Sequence, residues 1–538
     1  MTSAAQPYDA LIIGGGHNGL VCACELAGRG LKVRVLERRH VLGGAAVTEE
    51  FHPGFRNSTA SYTVSLLHPE VIRDLHLAEH GLRIVERPFS NFLPLPDGRY
   101  LKAGGGLAAT QAEVAKFSKR DAERLPEYYA MLDRAVVVLR ELVLQAPPNL
   151  GERGFASLAD AWSGLQLGWR LNKLDLPGKR DLLDLMTKSA GDLLDAWFKS
   201  KPIKAVLGFD SIVGNYASPY APGSAYVLLH HVFGEVNGKP GTWGHAIGGM
   251  GAITQAMARE AERRGVELSV NAAVERVLVE GRRATGVQLV DGTRLTAKRV
   301  VANVNPRLLY LDMLDAAVVP EDTLARMRNY RCGSGTLRMN VALSELPDFT
   351  ALPGKERAPH HSAGIILAPS LAYMEAAWTD ARRQGWGEAP VVEVLIPSTV
   401  DDSLAPPGQH VASLFCQHFA PVLDHPSYPR GWDDAREAAA DTVIDTVTRF
   451  APNFKASVIA RQIHTPLDLE RKFGLVGGDI FHGALSLDQL FAARPVLGHA
   501  DYRTPVPGLY LCGSGAHPGG GVTGLPGRNA ARAILRDR

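Results

Sequence analysis

Cysteine is scarce. The 538-residue chain has five: Cys22, Cys24, Cys332, Cys416 and Cys512. A small, odd number excludes a disulfide framework as the source of stability. Cys22 and Cys24 fall on a predicted helix, where two steps of about 100° put them on nearly opposite faces. Long apolar runs are also missing. No stretch reaches the ~18 residues that a membrane-spanning helix needs. Neither sign of charge dominates: 58 Lys and Arg face 56 Asp and Glu, a net charge of +2. There is no long basic run, so nucleic acid is not an expected partner. The opening residues, MTSAAQPYDA, have neither a basic segment nor an apolar core. They do not read as a secretory signal, and a cytoplasmic enzyme is the default expectation. Internal repeats and low-complexity segments are absent. The pairs His230-His231 and His360-His361 diverge from each other and lack spaced partners, so no metal site is expected.

Hydrophobic residues make up 46% of the chain and charged residues 21%, an ordinary globular balance. The length exceeds what one core organises, so two or three domains are expected.

Glycine is concentrated at the two ends. Near the start, YDALIIGGGHNGLVCACELAGRGLKVRVLERR reads as strand, loop, helix, strand. The loop is Gly14-x-Gly16-x-x-Gly19. Leu20, Ala23, Leu26 and Ala27 line one helix face, Gly30 is the expected C-cap, and KVRVLE is a second strand ending at Glu37. This is the βαβ order of a dinucleotide site. Gly14 permits the tight turn, Gly16 lets backbone approach a pyrophosphate, and Gly19 allows close helix–strand packing. The helix N-terminus presents free N–H groups and a positive dipole end to the phosphates. Gly15 and Asn18 complete the loop. Glu37, followed by Arg38, lies eighteen residues beyond Gly19, where a carboxylate can accept ribose hydroxyls. Two features favour FAD over NAD. One is Gly43-Gly44-Ala45, soon after Glu37. The other is the far end of the chain.

That end reads LYLCGSGAHPGGGVTGLPGRNAARA, Leu509 to Ala533, with seven glycines between a strand-like run and a helix. Gly513, Ser514, Gly521, Val522 and Thr523 would run against a flat ring system. A helix starting near Thr523-Gly524 would aim its N-terminus at the negative charge that a reduced flavin carries. In the middle, GGMGAITQAMAREAERRG is a turn and helix, followed by short strands, the Asp291-Gly292 hairpin turn and the apolar strand RVVANV. Val274 lies where such folds hold adenine with backbone groups. GGMG lacks a following strand that ends in an acid at the right distance, so one dinucleotide site is expected, not two. Residues 6–75, 241–310 and 495–538 would form a discontinuous FAD-binding domain. Residues 76–240 and 311–494 would form the substrate domain.

These stretches, with SPYAPGSAYVLLHHVFG, APPGQHVASLF and SLDQLFAARPV, resemble the phytoene desaturase-related FAD oxidoreductases. Among these the chain is most similar to the family of pyridine nucleotide-disulfide oxidoreductase domain-containing protein 2, across essentially its whole length. The resemblance implies an α/β architecture. A Rossmann-type FAD-binding domain of the glutathione-reductase-like, amine oxidase and phytoene desaturase superfamily would be interleaved with an α+β substrate domain. It also implies hydride transfer from C–H bonds of an apolar, isoprenoid- or lipid-like substrate to flavin N5. The sequence departs from related patterns in three places. GGAAVTEE has no redox cysteine pair after Gly44. Ala45 stands where amine oxidases usually have Arg. Ser514 stands where many relatives have an acid.

His517, in the C-terminal glycine loop, is the candidate catalytic residue, with loop anchoring as its bland alternative. Glu49 and Glu50 could reach the ring edge or form an exposed acidic turn. His17 is expected to contribute only backbone. Tyr216, Tyr220, Tyr226 and Phe233 would line an apolar pocket or serve as ordinary core. Amine oxidation, or a flavin-loaded regulatory protein with little turnover, are the alternatives in function. The expected electron acceptor is oxygen or a quinone, with loose attachment to a membrane surface. The direction of electron flow and the oligomeric state are left open.

Overall fold

The computed structural model describes residues 7–151, 154, 155 and 157–537. The strand Ala10–Ile13 is buried along its whole length, as its apolar sequence requires. It is the centre of a five-stranded parallel sheet. The spatial order is Glu267–Ser269, Val33–Leu36, Ala10–Ile13, Val300–Ala302, Leu509–Leu511. Ile13 stands opposite both Leu36 and Ala302, so three strands end together. That carboxyl edge is where open parallel sheets bind ligands. The strands Val274–Glu280, Arg283–Leu289 and Arg294–Thr296 form a separate antiparallel meander.

The helix His17–Ala27 starts directly after the glycine loop. Gly16 is its N-cap and offers no side-chain oxygen, so the first N–H groups stay available. Gly28 caps the C-terminus. Gly30, expected in that role, lies two residues further on, in a left-handed turn with φ of 80°. The C-terminal helix Leu525–Arg536 packs on this first helix, and glycine makes the approach possible. A Cβ on Gly527 would lie 2.0 Å from the Asn18 carbonyl oxygen, and one on Gly19 would lie 2.3 Å from the Gly14 carbonyl oxygen. The two glycine-rich ends of the chain therefore meet backbone to backbone.

The helix Gly251–Arg263 covers the same sheet and carries the fully buried Glu260. Burial alone would raise the Glu260 pKa, but hydrogen bonds from Arg263, His80 and Arg264 bring it down to about 2. Arg264 also donates to the carbonyls of Cys24 and Asp74, tying the helix to its neighbours.

The second sheet has seven strands. Its order is Val458–His464, Thr336–Leu343, His410–Gln417, Val391–Leu395, Gly364–Leu367, Asn91–Pro94, Tyr100–Ala103. Only the Gly364–Leu367 and Asn91–Pro94 neighbours are parallel. Side chains alternate between the faces. Ile365 and Leu367 join the core under the helix Trp432–Phe450, whereas Ile366 and Phe415 join the core under Lys119–Val143, Lys201–Phe209 and Ser224–Val232. The long helix Lys119–Val143 tolerates Pro126 inside it.

Gly527→Ala should destabilise the protein by about 1–3 kcal/mol, because the added methyl meets backbone that cannot swing aside. Gly168, inside the helix Leu158–Lys173, is different: a Cβ added there would have open space for 4 Å around it. Gly168→Ala should instead stabilise by roughly 0.5–1 kcal/mol. Denaturant midpoints compare the two, and equal shifts would contradict the close-contact reading of Gly527.

Candidate functional site

A cavity of about 280 Å³ lies at the carboxyl edge of the parallel sheet. Gly14, Gly16, Asn18, Glu37, Arg38, Gly44, Ala45, Val274 and Ser514 all line it. Gly14 takes φ of 95° to turn the loop. Gly43 bridges to Gly16 and donates its N–H to the Gly15 carbonyl at 2.9 Å. Gly44, with φ of 57°, passes so close that a Cβ would lie 3.1 Å from the Gly16 Cα. Gly15, Gly19 and Gly43 thus shape the loop from behind.

Glu37 is buried and locally organised. One carboxylate oxygen accepts the Gly15 N–H at 2.9 Å, and the other accepts the Arg39 N–H at 2.9 Å. It therefore holds the phosphate loop as well as facing the cavity. Asn18 donates from Nδ2 to Ser514 Oγ at 3.1 Å, joining the first loop to the last. Gly513 sits against Asn303, and Thr523 Oγ1 accepts the Leu525 N–H at the start of the C-terminal helix.

His17, expected to offer backbone only, contributes its side chain. Its Nε2 donates to the Gly521 carbonyl at 3.1 Å, and burial lowers its pKa to about 4. The ring is neutral, so it adds a directed hydrogen bond without adding charge to the loop. This bond links the dinucleotide cavity to a smaller one of about 90 Å³, lined in part by Gly521 and Val522. The opposite wall of the smaller cavity includes Tyr62, Phe415, Phe481, Trp243 and His231. Tyr62 stacks on Phe415 with centroids 4.8 Å apart. Behind them, the Tyr62 hydroxyl donates to Glu393 at 2.5 Å, and the buried Arg338 guanidinium lies 4.5 Å from the Tyr62 ring centroid. Burial pushes the Glu393 pKa up and brings the Arg338 pKa down to about 10.

His517 does not line the dinucleotide cavity, contrary to its expected place beside the ring. It lines a third, apolar cavity of about 320 Å³, with Leu139, Leu142, Leu167, Leu171 and Phe491. Two anchors set this position: Tyr502 donates to the His517 carbonyl, and the buried Arg494 donates to the Ser514 carbonyl at 2.8 Å. The His517 Nε2–H donates to the Leu142 carbonyl at 3.1 Å, leaving Nδ1 unpartnered. Burial lowers its pKa to about 4. His231 is similar. Its Nδ1–H donates to the Val227 carbonyl, and burial brings its pKa to about 4.

The other candidates are used elsewhere. Glu49 pairs with Arg39 and Lys472, and Glu50 is exposed on the strand Thr48–His52, where its carboxylate accepts the Gly54 N–H. Tyr216 lies beneath Gly335, and the Tyr220 hydroxyl reaches Asp195. Tyr226 and Phe233 pack around His230. None of these four lines the small cavity. Sequence reading missed Asn303, Arg39, Phe473 and His482, all of which line the large cavity. Asn303 donates to the Gly14 carbonyl at 3.1 Å, and the Arg39 guanidinium lies 5.0 Å from the Phe473 ring centroid. Only Asn303 had a signal, as the polar residue within the apolar stretch RVVANV, and it directly follows the strand Val300–Ala302.

The cavity fits a phosphate-bearing dinucleotide. Asn18 Oδ1, Arg39 Nη1 and His482 Nδ1 are buried there without partners. Arg39 offers a cationic donor, Asn18 an acceptor, and the helix N-terminus free N–H groups.

The chain belongs to the flavin containing amine oxidoreductase family, whose model matches residues 19–337. FAD is accordingly its cofactor. Mouse pyridine nucleotide-disulfide oxidoreductase domain-containing protein 2 is 42% identical, over 98% of this chain and 94% of its own length. A lycopene-forming phytoene desaturase from a Paracoccus species is 25% identical, over 98% of this chain and 97% of its own. The solved cyclohexylamine oxidase from Brevibacterium oxydans has the same fold, with a TM-score of 0.57 at 16% identity over 99% of both chains.

Glu37→Ala removes the acceptor that holds Gly15. FAD binding should weaken by about 1.5–3 kcal/mol, the worth of a hydrogen bond to a charged group. The flavin-to-protein absorbance ratio of the purified variant should fall. A wild-type ratio would mean that Glu37 neither touches the cofactor nor organises its loop.

Proposed function

We propose that this protein is a desaturase-like FAD-dependent dehydrogenase, taking hydride from a C–H bond of an apolar, isoprenoid- or lipid-like substrate. Support for this reading comes from walls without a carboxylate. Among the described residues, neither the small cavity at Gly521 and Val522 nor the apolar cavity at His517 has a carboxylate in its lining. An amine substrate arrives as an ammonium ion, and an unpaired charge is costly to place against apolar walls. An apolar substrate carries no such cost. His231 and His517 are neutral at pH 7, and the Arg170 guanidinium at the apolar cavity is paired with Glu141 at 3.0 Å.

Bound in the large cavity, FAD supplies the hydride acceptor. The protein's part is to position the C–H bond, exclude water and receive a proton. Aromatic rings at Tyr62, Phe415 and Phe481 supply the positioning surface. His517 and His231 are the candidate proton acceptors, because each uses one ring nitrogen as a donor and leaves the other with a free lone pair. The proposed electron acceptor is oxygen or a quinone. The chain has one GxGxxG loop in strand, loop, helix, strand order, Gly14 to Gly19, and FAD takes it; the same spacing at Gly519 to Gly524 precedes the helix Leu525–Arg536, with no strand after it among the described residues. Amine oxidation is the second reading, favoured by the family description and by the fold shared with cyclohexylamine oxidase.

The test mixes anaerobic holoprotein separately with isoprenoid or lipid extract, with amine extract, and with NADH or NADPH. The visible flavin band should bleach with the isoprenoid or lipid extract alone. Bleaching by amines supports the second reading. Fast, saturable bleaching by NADH or NADPH overturns the acceptor claim, and no bleaching at all points to a regulatory role. His517→Ala should retain FAD and slow the productive reduction by about 10²–10⁴-fold if His517 receives the proton. An unchanged rate would make it a loop anchor.

A further inference from the structure

The helix Leu158–Lys173 is apolar on two sides. Leu158, Trp162, Leu165 and Trp169 follow an i, i+4, i+7, i+11 spacing and share one face. That face points outward. On the opposite side, Ser163, Leu167 and Leu171 line the apolar cavity. The next helix, Leu176–Thr187, repeats the arrangement: Leu176 and Leu183 face out, while Leu182 and Met186 line the cavity. The six outward side chains are between 59% and 92% exposed. A helix that only roofs a core turns its apolar stripe inward and keeps polar residues outside. A contiguous apolar patch facing out marks an interaction surface.

Charge identifies the occupant. Lys173, Lys179 and Arg180 are exposed where the two helices join. Among the described residues none of them is in an ion pair. The Lys173 ammonium lies 3.5 Å from the Trp169 ring centroid, and Lys179 donates to the Asn172 side chain. The nearby carboxylates are engaged. Asp160 and Asp175 accept the backbone N–H groups of Asn149 and Gly178, Asp181 pairs with Arg134, and Asp184 pairs with Lys188. Exposed leucine and tryptophan, bordered by unpaired cations, match a bilayer surface. Leucines enter the acyl region, tryptophans sit at headgroup level, and cations meet lipid phosphates. A second copy docked on the same face by two-fold symmetry would set cations near cations.

We infer that these two helices dock on an anionic lipid bilayer. No helix among the described residues is long and apolar enough to cross a membrane, so the contact is interfacial. The apolar cavity lies directly beneath the docking face, so an apolar molecule can move from lipid to cavity with little exposure to water. This delivery role rests on the proposed apolar substrate; the docking itself does not.

Full-length holoprotein is floated with vesicles of phosphatidylcholine alone and of phosphatidylcholine mixed with phosphatidylglycerol. It should bind the anionic vesicles, less so as salt rises. Trp162→Ser with Trp169→Ser should lower that binding on the order of tenfold or more. Charge reversal at Lys173, Lys179 and Arg180 should remove the preference for anionic vesicles. All these positions are exposed, so flavin content and melting temperature should stay at wild-type values in each variant. Wild-type protein that floats with neither vesicle overturns the inference, as does undiminished binding of the tryptophan variant. So does a lipid-free dimer that the tryptophan substitutions convert to monomer, which would assign the face to a second copy. Failure of isoprenoids to bleach the flavin would leave the vesicle result unchanged, so the two readings fail separately.

Discussion

The site depends on backbone meeting backbone where the two ends of the chain come together. Gly527 lies on the Asn18 carbonyl, and Gly19 lies on the Gly14 carbonyl, at distances that exclude any Cβ. Close approach brings the C-terminal strand Leu509–Leu511 and its glycine loop against the first βα turn. Without it, Ser514 could not bond Asn18 and Gly521 could not receive the His17 hydrogen bond. One wall of the cofactor cavity thus comes from each end of the chain. The intervening residues build the seven-stranded sheet and helices that face it.

Around this contact, two buried charges are held by several partners each. Arg494 has no exposed surface and donates to the carbonyls of Phe481, Gln489 and Ser514, which fixes the loop carrying His517. Glu260 is held by two arginines and a histidine. The histidines nearest the cavities have the opposite character. Burial lowers the pKa values of His17, His231, His482 and His517, so they are neutral donors or acceptors at physiological pH. The rings of His17, His231 and His517 therefore shape the cavities through directed hydrogen bonds without adding charge to them.

Much of the cofactor half was legible in the sequence, because its signals are local. ALII, GGGHNG and the acid at Glu37 follow from strand burial, turn conformation and spacing along one βαβ unit, and the structure brings them to one cavity. Long-range contributions were not legible. Phe473 and His482 reach the cavity from hundreds of residues beyond the βαβ unit, and nothing in their own neighbourhoods marks them. His517 was placed beside the ring because it sits among glycines. Its true surroundings depend on Arg494 and on the helix Lys119–Val143, which tertiary packing supplies. The outward tryptophans Trp162 and Trp169 have helical spacing in the sequence, but only the fold shows which face is exposed.

Hydrogen exchange with and without FAD tests directly whether both chain ends hold one cofactor. Apoprotein and holoprotein are compared at two segments, residues 11–20 and residues 510–528. If the two glycine-rich ends clasp the same molecule, backbone amides in both segments should gain protection together on FAD binding and lose it together when FAD is removed. Protection confined to the first segment, with the second exchanging equally in apoprotein and holoprotein, would contradict a site built from both ends of the chain.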